Sequence, residues 1–227
     1  MADRIKVAVI VAGGSGTRMG SATPKQFMEI GGKPLLYHTI NAFLQAYDDM
    51  HIVLVVPETH QAYIATLLTA FDRPPSVALV HGGETRFHSV KNGLATIRQP
   101  AVLFVHDGVR PLLSPSLIRR CYESALAKGN AIPAVEMKDS LREVDDEGNM
   151  AVDRSRFRII QTPQTFLSEV LLPAFEQPYD PLFTDEASVV ERAGEEIHLV
   201  EGEEQNIKIT RPVDLAIANA FLAGHGL

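Results

Sequence analysis

Short, nearly continuous apolar runs alternate along the chain with segments in which apolar residues recur at helical spacing. Runs of this kind are typical of strands that are covered on both faces of a sheet. The strands predicted in this way are Ile5–Val11, His51–Val56, Ser76–Val80, Ala101–His106 and Ala131–Val135. Their alternation with helices predicts an α/β fold, a doubly wound and mostly parallel Rossmann-like sheet, in a single domain over residues 1–227.

Several helices carry recognisable signals at their ends. Pro34 stands where a first helical residue is expected, and apolar residues follow it at helical spacing. Ser114 and Pro115 predict the start of a helix that Gly129 ends. Further helix or strand patterns cover Ser168–Glu176, Asp185–Ala193, Ile197–Val200, Asn206–Thr210 and Pro212–Ala223.

Residues 138–160 interrupt this alternation. The stretch KDSLREVDDEGNMAVDRSRFRII is polar and strand-like around a turn at Asp145–Asn149, and it has no apolar face wide enough to join a core. It predicts a hairpin arm that leaves the domain, and arms of this kind usually pack against a partner subunit. A mobile surface hairpin is the alternative interpretation.

Composition narrows the class of protein. The chain has 227 residues, of which 45% are hydrophobic and 22% charged, and a formal net charge of −7. These values are typical of a soluble globular protein and argue against nucleic-acid binding driven by bulk charge. Neither a signal-peptide pattern nor an apolar stretch of membrane-spanning length is evident. The single cysteine, Cys121, cannot form an internal disulfide and is expected to be a buried thiol, so we expect a cytoplasmic protein.

The first predicted strand runs into a glycine-rich loop, VAVIVAGGSGTRMG, at Val7–Gly20. Backbone N–H groups of such a loop can approach a phosphate closely, although a tight turn without a ligand is the alternative. The dinucleotide fingerprint fails because Met19 stands where its third glycine is required, which argues against an NAD-dependent dehydrogenase. No G-K-[ST] tripeptide closes the loop, so it is not a P-loop either.

Charged residues near the loop favour cleavage of a nucleoside triphosphate over simple binding. Arg18 lies among the glycines and Lys25 follows them, and fixed cations stabilise the charge that builds on a departing pyrophosphate. Asp107 ends a buried strand, where open α/β sheets place their ligands, and is the predicted Mg²⁺ ligand. A turn cap is the alternative role for Asp107, and His106 is expected to be a strand-end residue rather than a metal ligand.

Seven motifs in order along nearly the whole chain resemble those of the 2-C-methyl-D-erythritol 4-phosphate cytidylyltransferase family of the non-mevalonate isoprenoid pathway. They are AGGSGTRMG…PKQF, GGETRFHSV, HDGVRP, VDR, QTPQTF, TDEAS and NIKITRPVDL. The resemblance implies a nucleotidyltransferase that moves a cytidylyl group from CTP to a polyol phosphate, with Mg²⁺ as cofactor and pyrophosphate as the second product.

The resemblance also implies a role for each matching residue. Catalytic roles fall on Arg18, Lys25, Arg154 and Lys208. Contacts to the nucleotide are implied for Ala12, Gly13, Gly14, Ser15, Gly16, Gly83, Ser89, Asp107 and Gly108. Contacts to the polyol phosphate are implied for Arg110, Ser140, Arg154, Thr184 and Lys208. The arm at 138–160 would then carry Arg154 into the site of the other subunit.

Two rival functions use similar residues. Ribitol 5-phosphate cytidylyltransferase has the same loop and leaving group, although the TDEAS and VDR motifs favour the methylerythritol enzyme. A noncatalytic nucleotide sensor would be expected to lack at least one of the catalytic cations or Asp107. The chain departs from the family pattern in having Gly108 and Val109 for two alanines, Ser140 for threonine and Glu84 for aspartate.

Overall fold

The computed structural model describes residues 4–13, 23–72 and 75–224. The strands are β1 (Ile5–Val11), β2 (Glu29–Ile30), β3 (Lys33–Pro34), β4 (Met50–Val56), β5 (Val77–His81), β6 (Ala101–Asp107), β7 (Asn130–Glu136), β8 (Leu141–Asp145), β9 (Gly148–Val152), β10 (Arg158–Ile160), β11 (Gln164–Leu167) and β12 (Leu199–Glu201). The helices are α1 (Leu35–Ala46), α2 (Gln61–Leu68), α3 (Arg86–Leu94), α4 (Pro115–Lys128), α5 (Ser168–Ala174), α6 (Glu186–Arg192) and α7 (Pro212–Leu222). None of the helices in this part of the chain has both the length and the apolar character that crossing a membrane requires.

The central sheet has the strand order β5-β4-β1-β6-β11-β7-β10, and β12 pairs with β7. Strands β5, β4, β1 and β6 are parallel to one another, whereas β11 is antiparallel to both β6 and β7. The predicted doubly wound, mostly parallel α/β sheet is therefore confirmed. In the sheet β4 and β5 lie on one side of β1 and β6 lies on the other, so the strand order reverses between β1 and β6, and the carboxyl ends at such a point commonly bind ligands.

Helices cover both faces of the sheet. One core layer contains α1, α2 and α4, and the other contains α3, α5 and α6. Alternate residues of β6 divide between the layers: Val102 and Phe104 face the first, Leu103 and Val105 the second. Cys121 is buried in the first layer, and burial raises the pKa of its thiol to about 12, as expected for an unreactive core residue.

The predicted end signals of α4 are confirmed, and that of α1 needs a correction. The Ser114 hydroxyl accepts a hydrogen bond from the Leu117 N–H at 3.1 Å, and Gly129 ends α4 with a φ of 91°. Pro34 is not the first helical residue. Its ψ of 147° is extended, so it precedes α1 and pairs in the short β3 strand.

Residues 206–210, predicted to be a regular element, form neither helix nor strand. Side-chain and loop contacts fix them instead. The Ile209 N–H donates to the Val109 carbonyl at 2.9 Å, and Ile209 is fully buried. The apolar positions that suggested a strand here anchor an irregular segment.

Residues 141–152 form a hairpin in which β8 and β9 pair antiparallel around a turn. Residues 142–151 are exposed throughout. The predicted arm reaches Ile160, but its last residues, Arg158–Ile160, form β10 and pair with β7. This end of the predicted arm therefore belongs to the central sheet, because its backbone groups complete the sheet edge.

Candidate functional site

The carboxyl ends of β1 and β6 form the floor of a cleft of about 310 Å³. Val11 and Asp107, the last residues of these strands, pair in register, and the Gly108 N–H donates to the Val11 carbonyl at 2.9 Å. The Ala12 N–H donates to Val55 of β4 at 2.9 Å. The backbone leaving β1 is thus held by both neighbouring strands before the glycine loop begins.

Seven of the predicted site residues within the described part of the chain line this cleft. They are Ala12, Gly13, Lys25, Gly83, Ser89, Asp107 and Lys208. Four more predicted residues, Gly14, Ser15, Gly16 and Arg18, lie outside the described residues. Residues that are far apart in sequence therefore meet at one sheet edge.

The wall after β5 is a tight loop packed against α3. A Cβ at Gly83 would lie 2.4 Å from the Cβ of His88, so only glycine fits there. The Gly83 N–H donates to the Ser89 hydroxyl at 3.0 Å. Ser89 therefore shapes the loop, which lines the cleft together with the start of α3.

Asp107 lies at the centre of a cluster of cations. Its Oδ2 is 3.0 Å from Lys208 Nζ and 3.6 Å from Arg110 Nε, and its Oδ1 is 3.3 Å from Arg86 Nε. Burial alone would raise the pKa of this carboxyl, but Arg86, Lys208 and Arg110 together hold the pKa well below its usual value. Asp107 is therefore ionised at any physiological pH.

His106 points to the opposite face of the sheet, as alternation along a strand requires. Its ring packs against Phe43 at a centroid distance of 5.4 Å, and its Nδ1 lies 2.9 Å from the Thr162 hydroxyl. The same hydroxyl accepts from the Asp107 N–H at 3.2 Å. Burial lowers the pKa of His106 to about 3, so this residue is neutral, and its contacts to Phe43 and Thr162 support the strand end.

Lys208 reaches the cleft from the irregular segment that contains Ile209. Asn206, also fully buried, donates through Nδ2 to the Thr162 carbonyl at 2.9 Å. Lys208 lies between these two anchors with its side chain directed to Asp107. Lys25 also lines the cleft, and its Nζ lies 3.5 Å from the Ile209 carbonyl, so the two lysines enter the cleft beside the same segment.

Five predicted site residues do not line the cleft in the described part of this chain. Arg110 is buried behind Asp107 and donates to the Asn206 carbonyl at 2.8 Å. Gly108 packs under the cleft, where a Cβ would lie 2.9 Å from that of Ala12. The other three, all exposed, are Ser140, Arg154 and Thr184. Arg154 donates to the Lys138 carbonyl at the base of the hairpin.

Two further lining residues, Gln26 and Arg86, were not assigned a role from the sequence. Gln26 is 1% exposed and donates to the Ala12 carbonyl at 2.8 Å, which ties the segment carrying Lys25 to the end of β1. Arg86 forms an ion pair with the buried Glu186 on α6. Gln26 lies in the PKQF motif and Arg86 in the GGETRFHSV motif. Membership of these motifs was the only signal in the sequence that pointed to the two residues.

The fold and the cleft define an α/β protein in which two lysines and an ionised aspartate line a cleft at the carboxyl edge of a parallel sheet, the arrangement of a nucleotide-handling enzyme. The family model for IspD, 2-C-methyl-D-erythritol 4-phosphate cytidylyltransferase, matches residues 6–224. A protein of that name from Bacteroides thetaiotaomicron is 48% identical over 215 residues, which cover 94% of this chain and 98% of that protein.

A second relative of that name, from Porphyromonas gingivalis W83, is 47% identical over 221 residues, covering 97% of this chain and 99% of that protein. The crystal structure of 4-diphosphocytidyl-2C-methyl-D-erythritol synthase from Anaerococcus prevotii superposes with a TM-score of 0.82 at 28% identity, covering 97% of this chain and 99% of that one. The chain belongs to the 2-C-methyl-D-erythritol 4-phosphate cytidylyltransferase family.

The neutral His106 makes stability depend on pH. In the unfolded chain a histidine binds a proton below about pH 6.5, whereas in the folded chain the pKa is about 3. Between these values the unfolded state binds more protons, so stability falls as the pH falls, by about 2 kcal/mol from this residue between pH 7 and pH 5.

Urea unfolding of the wild type and of His106→Asn at pH 7 and pH 5 measures this contribution. The variant should be less stable at pH 7, but its further loss at pH 5 should be smaller than that of the wild type. Equal losses in the two proteins would show that His106 does not carry the pH dependence.

Proposed function

We propose that the cleft between β1, β6 and the Gly83 loop is where this chain transfers a cytidylyl group from CTP to 2-C-methyl-D-erythritol 4-phosphate. One observation carries the proposal: in a chain of this family, Lys25, Lys208 and Asp107 line the same cleft as the residues that follow β1. The ribitol 5-phosphate alternative is not favoured, because the family model and the relatives named above carry the methylerythritol name.

The reaction suits a site without a general base. A phosphate monoester has a second pKa of about 6, so it is mostly a dianion at neutral pH and is already a nucleophile. One of its oxygens forms a new bond to the α-phosphorus of CTP, and the bond from that phosphorus to the bridging oxygen breaks. Pyrophosphate leaves with the electron pair. His106, the histidine next to Asp107, is buried, neutral and directed away from the cleft, so it takes no part.

The lysines meet the electrostatic demand of this reaction. Two anions must approach each other, and negative charge builds on the leaving pyrophosphate. Lys25, which follows the glycine loop, is proposed to stabilise that charge. Lys208, beside Asp107, is proposed to hold the attacking phosphate. Arg18 is proposed to act with Lys25.

Mg²⁺ is proposed to bind at Asp107. The carboxylate fits this role because it is ionised and lines the cleft. In the described residues no group of three or more His, Cys, Asp or Glu side chains could hold a metal ion. One protein carboxylate suffices for Mg²⁺ when phosphate and water oxygens supply the other ligands. Bound there, the ion would supply charge neutralisation for the triphosphate, and Asp107 would be the residue of this chain that holds it.

A homodimer is proposed, with Arg154 acting in the partner's site. The hairpin is exposed on both strands, and its Val144 and Met150 are 75% and 62% exposed. Beyond it, Phe157 and Ile159 are each 44% exposed. By the hairpin register Val144 and Met150 project from opposite faces, so these exposed apolar side chains give the arm a surface of the kind that another protein covers. Arg154 lies at the base of this surface and not in the cleft of its own chain. With a single cysteine and the substrates named above, a cytoplasmic location is proposed.

Pyrophosphate release with matched substrates tests the activity. We expect turnover with CTP and 2-C-methyl-D-erythritol 4-phosphate, and at least about a hundredfold less with ATP or GTP, because a purine would leave the polar groups of the pocket unpaired. Replacing the polyol phosphate by ribitol 5-phosphate should also abolish most turnover. Comparable rates with either replacement would contradict the assignment.

Lys25→Ala should lower kcat by about a hundredfold and change the KM for CTP much less, because the lost interaction forms with charge that develops during the reaction. Steady-state kinetics measure both constants. Lys33→Ala is the matched control, since Lys33 lies nearby over the Tyr37 ring and outside the cleft. A change in KM alone would make Lys25 a binding residue.

Mixing Arg154→Ala with Lys25→Ala tests the shared site. A mixed dimer would contain one site with an intact Lys25 and an Arg154 supplied by the partner, so activity should recover toward half of the wild-type value per mixed dimer. Arg156→Ala, on the same turn, is the control for the effect of removing an exposed arginine. If native mass spectrometry shows subunit exchange and activity stays at the level of the separate variants, Arg154 acts within its own chain.

A further inference from the structure

A largely buried ion pair lies directly beside Asp107. Arg86, the first residue of α3, donates from Nη1 and Nη2 to the two carboxylate oxygens of Glu186, the first residue of α6. The Glu186 side chain is 1% exposed, and the Arg86 side chain is 29% exposed because it also lines the cleft. The pair therefore joins the second helical layer to the cleft wall.

The geometry divides Arg86 unequally between two carboxylates. Its two terminal nitrogens, which form the fork that best matches a carboxylate, both bind Glu186. Only Nε faces Asp107, at 3.3 Å from Oδ1. Asp107 therefore has one contact to Arg86, although a bidentate pair with this arginine would be the stronger interaction.

The local charge balance makes this division important. Arg86, Arg110 and Lys208 all lie within 4 Å of Asp107. Asp107 is the other carboxylate that Arg86 contacts, so it is the nearest alternative partner for the fork if Glu186 loses its charge. A largely buried guanidinium without a partner carries an uncompensated charge, which is energetically costly and favours pairing with another carboxylate.

We propose that Glu186 is a positioning residue that retains the fork of Arg86 as its own partner and thereby limits Arg86 to one contact with Asp107, so that a divalent cation competes with fewer donors for that carboxylate. The inference rests on the proposed binding of Mg²⁺ at Asp107. It gives roles to two residues, in the GGETRFHSV and TDEAS motifs, for which none had been assigned.

Glu186→Gln is the primary test, because the amide keeps the shape and removes the charge. The affinity of the Mn²⁺–CTP complex is measured by water-proton relaxation enhancement without polyol phosphate, and that of metal-free CTP by calorimetry in EDTA. The ratio of the two affinities reports what the metal adds. We expect Glu186→Gln to lower this ratio by about tenfold, the scale of effect seen when groups around a metal ligand are changed.

The double variant Arg86→Gln/Glu186→Gln separates this role from a purely structural one. If Arg86 turns onto Asp107 when Glu186 loses its charge, removing Arg86 as well should restore the ratio toward the wild-type value. Damage to the fold would instead persist or increase, and thermal unfolding of each variant monitors it. Glu191→Gln, an exposed position on the same helix, is the matched control and should leave the ratio unchanged.

Asp107→Asn distinguishes failure of this inference from failure of the metal assignment. A ratio lowered by Asp107→Asn but not by Glu186→Gln would overturn the role of Glu186 alone. So would a double variant as weak as Glu186→Gln. A ratio that Asp107→Asn does not change would overturn the metal role of Asp107 and this inference with it, while leaving the cytidylyl transfer to be judged by the pyrophosphate assay.

Discussion

The ionised carboxylate of Asp107 is the group around which the candidate site is arranged. It ends a strand that is buried along its whole length, and burial by itself would make its charge unfavourable. Three cations from separate parts of the chain offset that cost. Arg86 is held by Glu186 of α6, Arg110 by the Asn206 carbonyl, and Lys208 belongs to the segment that contains Ile209. The carboxylate therefore connects the second helical layer and the C-terminal part of the chain to the end of β6. Stability and the electrostatics of the cleft therefore depend on the same contacts.

The sequence was sufficient for the parallel core of the fold because local signals and burial agreed there. The apolar runs of β1, β4 and β6 were found within one residue of their ends, and the Ser114 and Gly129 signals bound α4 as expected. Errors arose where tertiary contacts outweighed the local pattern. Asn206–Thr210 has the composition of a regular element but is fixed by single contacts to Val109 and Thr162, and the end of the predicted arm is used to complete the sheet edge.

The site divides in a similar way. Residues at the ends of predicted strands, such as Ala12 and Asp107, could be placed from the sequence because a parallel sheet brings carboxyl ends together. The ion pair between Arg86 and Glu186 could not, since its partners are 100 residues apart and no pattern relates them before α3 and α6 pack on the same face. Arg110, in the HDGVRP motif, was expected to contact the polyol phosphate. In the structure its guanidinium is buried and donates to the Asn206 carbonyl.

The alternation of His106 and Asp107 across the sheet constrains how β6 can change in length. His106 is buried and neutral next to Phe43, whereas the Asp107 carboxylate is stabilised by neighbouring cations. Inserting or deleting a single residue in this strand would exchange the two sides, burying an uncompensated carboxylate and presenting an imidazole to the guanidinium groups. Insertions and deletions should therefore be tolerated at places such as the hairpin tip between Asp145 and Gly148, where a shift moves no side chain into or out of a core. The length of β6 should tolerate almost no change.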